Sequence, residues 1–204
     1  MDRSTRYLVY GAGFAAIVVI IVVLMVVSPF GGGGNGSLGV YATAAPPPSG
    51  YPYPAQRFDD ITPSPGTGER HLAAGQTFDG YNSDPPTSGV HGPAVDWAVH
   101  DNAVPKESAV HNMEHGGVVI WYNCNGGPAP LGGAECTQLR RDLTAEATAA
   151  LQQSKRVLMT PYPAMEHRIA LTSWQILDAF DEFDAQRVQA FIDTFICYTK
   201  IEGC

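Results

Sequence analysis

The pattern of apolar and polar residues divides the chain into three parts. Residues 8–27 form an unbroken run of 20 uncharged, mostly apolar residues. Residues 31–56 are rich in glycine and proline and carry no charge, and from residue 57 onward charged and apolar positions are mixed. The pattern therefore predicts a short tip and an anchor in residues 1–30, a linker in residues 31–56 and a folded domain in residues 57–204.

The apolar run predicts one membrane-spanning helix. A helix of 20 residues is about 30 Å long, which matches the hydrocarbon core of a bilayer. Cleaved signal peptides have shorter apolar regions, of about 7 to 15 residues, with a small-residue cleavage site directly behind them. Arg3 and Arg6 precede the run and favour a cytoplasmic N-terminus. We therefore expect a single-pass protein of the cell membrane, with a flexible Gly/Pro linker and an extracytoplasmic domain.

Periodicity within the domain predicts an α+β fold. Many turn formers and few periodic apolar positions indicate an irregular lobe up to about residue 105. Beyond it, β-branched and aromatic runs predict three strands, and apolar positions three or four apart predict two helices. The strands are residues 117–122, 156–160 and 169–174, and the helices are residues 137–152 and 184–198, the second with Asp184 as its N-cap. The order β-α-β-β-α is typical of helices packed against a sheet.

The excess of acidic residues limits the kinds of molecule that the domain is expected to bind. Beyond the predicted span, 19 acidic residues face 10 basic ones, and no basic patch is visible. Nucleic acid is therefore not expected as a partner. The expected partners are the membrane itself and a membrane protein complex.

Cysteine usage agrees with an oxidising compartment. All four cysteines follow the predicted span, and an even number there predicts two disulfides. Four cysteines allow three pairings. Proximity in the sequence favours Cys124 with Cys136 and Cys197 with Cys204.

The densest group of metal-capable side chains directly precedes the first strand. His111 and His115 are four residues apart with Glu114 between them, and a Gly-Gly pair ends any helix at once. A helical turn would bring these three side chains together, and two imidazoles with a carboxylate suit Zn²⁺. An extended chain would instead align His111, Met113 and His115, and a thioether with imidazoles suits copper. The sequence leaves both arrangements open.

A convincing site needs a third histidine. His91 ends a turn-rich loop that two prolines hold in place, and such loops commonly present binding side chains. His71 and His100 have no supporting neighbours in the sequence and are expected on the surface. The candidate metal ligands are therefore His91, His111 and His115, supported by Glu114 or Met113.

Several uncommon motifs occur in a characteristic order along residues 81–196. They are Pro-Pro-Thr-Ser-Gly followed by His91, His-Asn-x-Glu-His-Gly-Gly-Val at residues 111–118, Pro-Tyr-Pro at residues 161–163 and Ile-Ala-Leu-Thr at residues 169–172. In these motifs the chain resembles the bacterial domain of unknown function 3105 family. The resemblance implies an extracytoplasmic domain, often behind a single N-terminal span, and supplies no activity.

Three functions remain to be compared. The first is an anchored domain that binds copper or zinc, in metal handling or as an accessory factor, without turnover. The second is a structural or accessory subunit of a membrane complex, in which the same histidines only brace the fold. The third is a peptidase, because His-x-x-Glu-His matches an inverted zinc-protease signature with Glu114 as general base. The Gly-Gly pair argues against the third, since that signature needs a longer helix. We expect the first.

Overall fold

The computed structural model describes residues 50–61 and 70–198. The predicted span at residues 8–27 and most of the predicted linker lie outside these residues. Within the described ranges, no helix is both long and apolar enough to cross a membrane.

A five-stranded mixed sheet forms the centre of the domain. Its strands are β1 (Gln56–Arg57), β2 (Val118–Tyr122), β3 (Val157–Pro161), β4 (Ile169–Ser173) and β5 (Ile176–Phe180), in the spatial order β1-β5-β4-β2-β3. Strands β2 and β3 are parallel, and the other pairs are antiparallel. The α+β class predicted from the pattern is confirmed.

One face of the sheet is covered by two helices. They are α2 (Gly133–Gln152) and α3 (Ala185–Phe195). Val118, Ile120 and Tyr122 point from β2 into this core, because alternate residues of a strand share a face. The helices meet them with side chains spaced by three or four residues, including Leu139, Leu143, Val188, Phe191 and Phe195.

The other face is covered by a third helix and the irregular lobe. Helix α1 (Lys106–Glu114) packs Val110 and Met113 against Val119 and Trp121 of β2. All five residues of β2 are buried, so the strand is covered on both sides. This explains why its sequence is apolar throughout rather than alternating.

The predicted elements match the structure with small shifts, but β1, β5 and helix α1 were not among them. The first predicted helix begins four residues earlier, at Gly133, and Asp184 caps α3 as predicted by accepting a hydrogen bond from the backbone of Arg187. Strand β5 was missed because it follows β4 after a turn at Trp174 and Gln175, and Gln175 adopts a positive φ of 65°. That turn contains none of the glycine, asparagine or proline signals that mark hairpins.

The domain begins before its predicted boundary. Tyr51 and Ala55, which the pattern assigned to the linker, are buried in the core, and β1 pairs with β5 from Gln56. The Tyr51 hydroxyl donates to the buried carboxylate of Asp178. The linker is therefore shorter than predicted, because its aromatic end belongs to the domain.

One predicted disulfide is present and the second is partly described. Cys124 and Cys136 are bonded across the loop before α2. Cys197 is also in a disulfide. Its predicted partner, Cys204, lies outside the described residues.

Candidate metal centre

The end of helix α1 decides how the His-rich motif is arranged. The helix includes His111 and Glu114, and His115 is its C-cap. Gly116 follows with a φ of 77°, its N–H bonds to the Met113 carbonyl, and the next N–H bonds to the Asn112 carbonyl. These two bonds form a Schellman motif, in which glycine supplies the left-handed residue. The helical alternative is therefore the one that forms.

The loop that carries His91 is tied to this helix and to a second histidine. A parallel β-bridge joins His91 to His71, through bonds between the N–H of His91 and the carbonyl of Arg70 and between the N–H of Leu72 and the carbonyl of His91. The N–H of Gly92 bonds to the backbone of α1. Backbone contacts thus bring three separate chain segments to one point.

Four potential ligands meet there: His71, His91, His111 and Glu114. One ligand atom from each lies within 4.8 Å of the other three. We call these four residues the His/Glu cluster. The His91 ring lies 4.8 Å from both the His71 and the His111 rings, centroid to centroid. His91 and Glu114 are almost fully buried, His111 is partly buried and His71 is exposed, so the cluster runs from the interior to the surface.

Backbone carbonyls set the protonation of two of the imidazoles. The Nδ1 atom of His91 lies 2.8 Å from the Gly89 carbonyl, and that of His111 lies 2.7 Å from the Gly92 carbonyl. A carbonyl only accepts, so each Nδ1 must carry the hydrogen. In the neutral rings, Nε2 then carries the lone pair. Histidines that bind metals are commonly oriented in this way.

The buried end of the cluster contains two facing acceptors. Nε2 of His91 and Oε2 of Glu114 are 3.0 Å apart, and neither has a hydrogen-bond partner among the described residues. Burial is the main reason that the pKa of His91 is lowered, which favours the neutral ring over an imidazolium. A neutral nitrogen and a carboxylate oxygen repel at this distance unless a cation or proton lies between them.

Arg70 neutralises the buried carboxylate from outside. Its guanidinium bonds to the second oxygen of Glu114 at 2.5 Å and lies over the Trp174 ring at 5.9 Å. Glu114 is therefore held in place by one oxygen while the other faces His91.

The structure brings together some of the predicted ligands and separates others. His91, His111 and Glu114 belong to the His/Glu cluster. His115 does not, although its Nε2 is 3.0 Å from Nε2 of His111 and the two rings stack. Met113 is set apart: it is fully buried in the apolar core, because it lies two positions, about 200°, around the helix from His111. The thioether arrangement is thus not formed.

His71 is the cluster member that sequence analysis missed. The ring is exposed, as expected, but three cluster members surround it. The sequence shows only that residue 71 is a histidine in an irregular lobe. Its proximity to His91 results from a long-range backbone bridge, which the local sequence pattern does not predict. Asn112, next to His111, braces the same lobe through two hydrogen bonds to the backbone of Val95.

The donor set fits a transition-metal ion. Ligands bonded tetrahedrally to zinc at about 2.0 to 2.2 Å lie about 3.3 Å from one another. The facing ligand atoms of His91 and Glu114 are already about this close, at 3.0 Å. The two most distant ligand atoms of the cluster are no more than 4.8 Å apart, so they would have to approach each other by at most about 1.5 Å to bind one ion. Three imidazoles with one carboxylate form a set that Zn²⁺ and Cu²⁺ both accept. The cluster could hold such an ion.

Comparison with known proteins gives a family and no activity. The model of the family described as "Protein of unknown function (DUF3105)" matches residues 71–200, which include the whole His/Glu cluster. No curated protein and no solved structure matches the chain significantly. The match covers well over half of the sequence, and this chain belongs to the DUF3105 family.

Proposed function

We propose that this chain is a membrane-anchored extracytoplasmic protein that binds a divalent transition-metal ion through the His/Glu cluster. The ligands are His71, His91, His111 and the Oε2 atom of Glu114. The ion is zinc or copper, and the protein acts in metal handling or as an accessory factor of a membrane complex.

The observation that carries the proposal is the pair of facing acceptors. Leaving buried polar atoms unpaired destabilises a fold by about 1 to 3 kcal/mol each. His91 Nε2 and Glu114 Oε2 are both unpaired among the described residues, and they face each other at 3.0 Å. An ion between them would convert this repulsion into two coordinate bonds.

The donor types favour Zn²⁺ or Cu²⁺ over Cu⁺. Soft thioether and thiolate ligands select Cu⁺. Among residues 70–198, Met113 is in the apolar core and the cysteines at positions 124, 136 and 197 are in disulfides, so none of these four sulfur atoms is offered to the cluster. Both Zn²⁺ and Cu²⁺ accept imidazole and carboxylate ligands, so ligand type alone does not distinguish them. Zinc, with its tetrahedral preference, matches the number of donors.

The proposed location rests on the sequence. The apolar run at residues 8–27 is long enough to anchor the chain, and the disulfide at Cys124–Cys136 is typical of an oxidising compartment. An anchored metal-binding domain fits these two features.

The rival function is a structural subunit whose histidines brace the fold. Asn112 and the Nδ1 atoms of His91 and His111 do brace the lobe through backbone carbonyls. The two functions differ at His71, an exposed residue whose ring contacts those of His91 and His111. Removing this imidazole should weaken metal binding and leave the stability of the metal-free protein nearly unchanged.

Metal titration of the full-length chain tests the proposal. The protein is purified without a histidine tag, stripped with a chelator and titrated with Zn²⁺ and Cu²⁺ beside two variants. His71→Ala should weaken binding by more than the 10- to 100-fold typical of an outer-sphere partner. His100→Ala, which removes a histidine outside the cluster, should bind like the wild type. Equal binding by all three proteins would contradict the proposed ligand set.

A further inference from the structure

His115 provides a nitrogen that the His/Glu cluster does not use. Its Nε2 is 3.0 Å from Nε2 of His111, and the two rings stack at 4.9 Å with an angle of 22°. His115 is partly buried, and its carbonyl accepts a hydrogen bond from Arg156. The Schellman motif after α1 fixes the backbone on both sides of it. These hydrogen bonds therefore fix the position of the His115 imidazole beside the cluster.

His111 is shared between two donor sets. Its Nδ1 donates to the Gly92 carbonyl, so the neutral ring has its lone pair at Nε2. A ligand atom of His111 lies within 4.8 Å of one from His71, His91 and Glu114, and its Nε2 also lies next to His115. We call the His/Glu cluster the inner set, because it contains the buried residues His91 and Glu114. The partly buried His111–His115 pair is the outer set, or outer pair. The separation of 3.0 Å in the outer pair is close to the distance between two ligands of one tetrahedral ion.

We infer that His115 is an exchange ligand, which receives the ion at the outer pair and passes it to the inner set, and takes it back on release. This inference rests on the proposed function and adds that the ion is cargo. At 3.0 Å, the Nε2 atom of one ring donates a hydrogen to the Nε2 atom of the other. When an ion enters, solvent water takes that hydrogen as a proton and both Nε2 lone pairs bond to the ion; the bond to His115 then breaks as the inner ligands bind, while His111 remains bonded.

The different positions of His71 and His115 separate their roles. His71 lies close to all three other members of the cluster, so its loss removes a ligand of the final site. His115 lies close to His111 but outside the cluster, so its loss removes only a stepping position. A group that stabilises only the intermediate changes loading and release by the same factor, because the two end states keep their free energies.

Two measurements on the full-length chain test the inference. Equilibrium affinity for Zn²⁺ is measured by competition with a chromophoric chelator, and loading and transfer to excess chelator are followed by stopped flow. The variants are His115→Ala and His115→Asn, with His71→Ala as the ligand variant and His100→Ala as the remote control. Circular dichroism checks the fold of each.

The expected result is that both His115 variants keep an affinity near that of the wild type while loading and transfer each become slower by about 10-fold or more. Unchanged rates in these variants would overturn the inference and leave the proposed function intact if His71→Ala still loses affinity. A loss of affinity as large as that of His71→Ala would also overturn it, because His115 would then be an ordinary ligand. A wild-type chain that binds neither Zn²⁺ nor Cu²⁺ would remove the proposed function itself.

Discussion

Nε2 of His91 and Oε2 of Glu114 face each other at 3.0 Å in the interior of the domain, and neither atom has a hydrogen-bond partner among residues 50–61 and 70–198. Both side chains are held in this position from behind, His91 by the Gly89 carbonyl and Glu114 by Arg70. A cation or a proton between these two atoms would relieve their repulsion. A metal ion satisfies both atoms at once.

Glu114→Gln separates metal binding from bracing. The amide keeps the shape of the side chain, its oxygen accepts from Arg70 and its NH₂ group donates to His91 Nε2, which removes the repulsion. The metal-free variant should be at least as stable as the metal-free wild type, while its Zn²⁺ affinity falls by more than about 100-fold, the upper range for an outer-sphere partner. Thermal unfolding in a chelator and Zn²⁺ titration measure the two effects. A variant that unfolds well below the metal-free wild type would indicate that Glu114 serves as an ionic brace.

Met113→Leu tests whether the thioether takes part. Met113 is fully buried among apolar side chains, and leucine has a similar volume. The free energy of unfolding should change by less than about 1.5 kcal/mol, as for other volume-conserving core substitutions. Copper and zinc affinity should remain at the wild-type value. A selective loss of Cu⁺ binding in this variant would restore the thioether as a ligand.

Gly117→Ala tests the close approach that positions the strand after the cluster. A Cβ atom there would lie 2.2 Å from the Trp97 ring, so the ring or the backbone must move. Overpacking of this kind destabilises by about 1 to 3 kcal/mol. Denaturant unfolding gives the value. The matched control is Gly133→Ala at the start of α2, where a Cβ meets nothing within 4 Å and the change should be neutral or slightly stabilising.

Asp178→Asn tests the contact that joins the start of the domain to the sheet. Asp178 is fully buried, accepts two bonds from Arg187 at 2.8 and 2.5 Å and accepts the Tyr51 hydroxyl. Removing one charge of a buried pair destabilises by about 3 to 5 kcal/mol. The exposed pair of Asp101 with Arg140 is the control, since Asp101→Asn should cost about 1 kcal/mol or less.

The two variants should leave metal binding unchanged, because the network of Asp178 is separate from the His/Glu cluster. Equal losses of stability in Asp178→Asn and Asp101→Asn would show that the buried network contributes no more than a surface pair. The domain would then not depend on Tyr51 for its N-terminal boundary.

Most helices and strands could be predicted from the sequence because the spacing of their apolar residues reveals the type of element. Strand β2 and helix α3 followed from short windows, and the Gly-Gly pair correctly marked the end of α1. Strand β5 was not predictable in this way, since its turn at Gln175 uses a residue type that rarely adopts positive φ. Tyr51 was assigned to the linker because proline-rich composition outweighed the aromatic residues within it.

Only the part of the site whose residues are close together in the sequence could be predicted. His111 and Glu114 are three residues apart, so the helix alone brings them together. The position of His71 depends on a backbone bridge to a residue 20 positions away, within a lobe without periodicity. The choice between Met113 and Glu114 depended on whether the segment was helical, and the sequence supported both conformations. Long-range backbone pairing therefore supplied what local pattern could not.

Metal content of the protein as isolated tests the central claim most directly. The full-length chain is purified without a histidine tag and measured by inductively coupled plasma mass spectrometry beside His111→Ala, the variant that lacks the imidazole shared by both donor sets. We expect close to one zinc or copper ion per wild-type chain and almost none in the folded variant. A wild-type protein that contains no metal and takes up neither ion on titration would contradict the account.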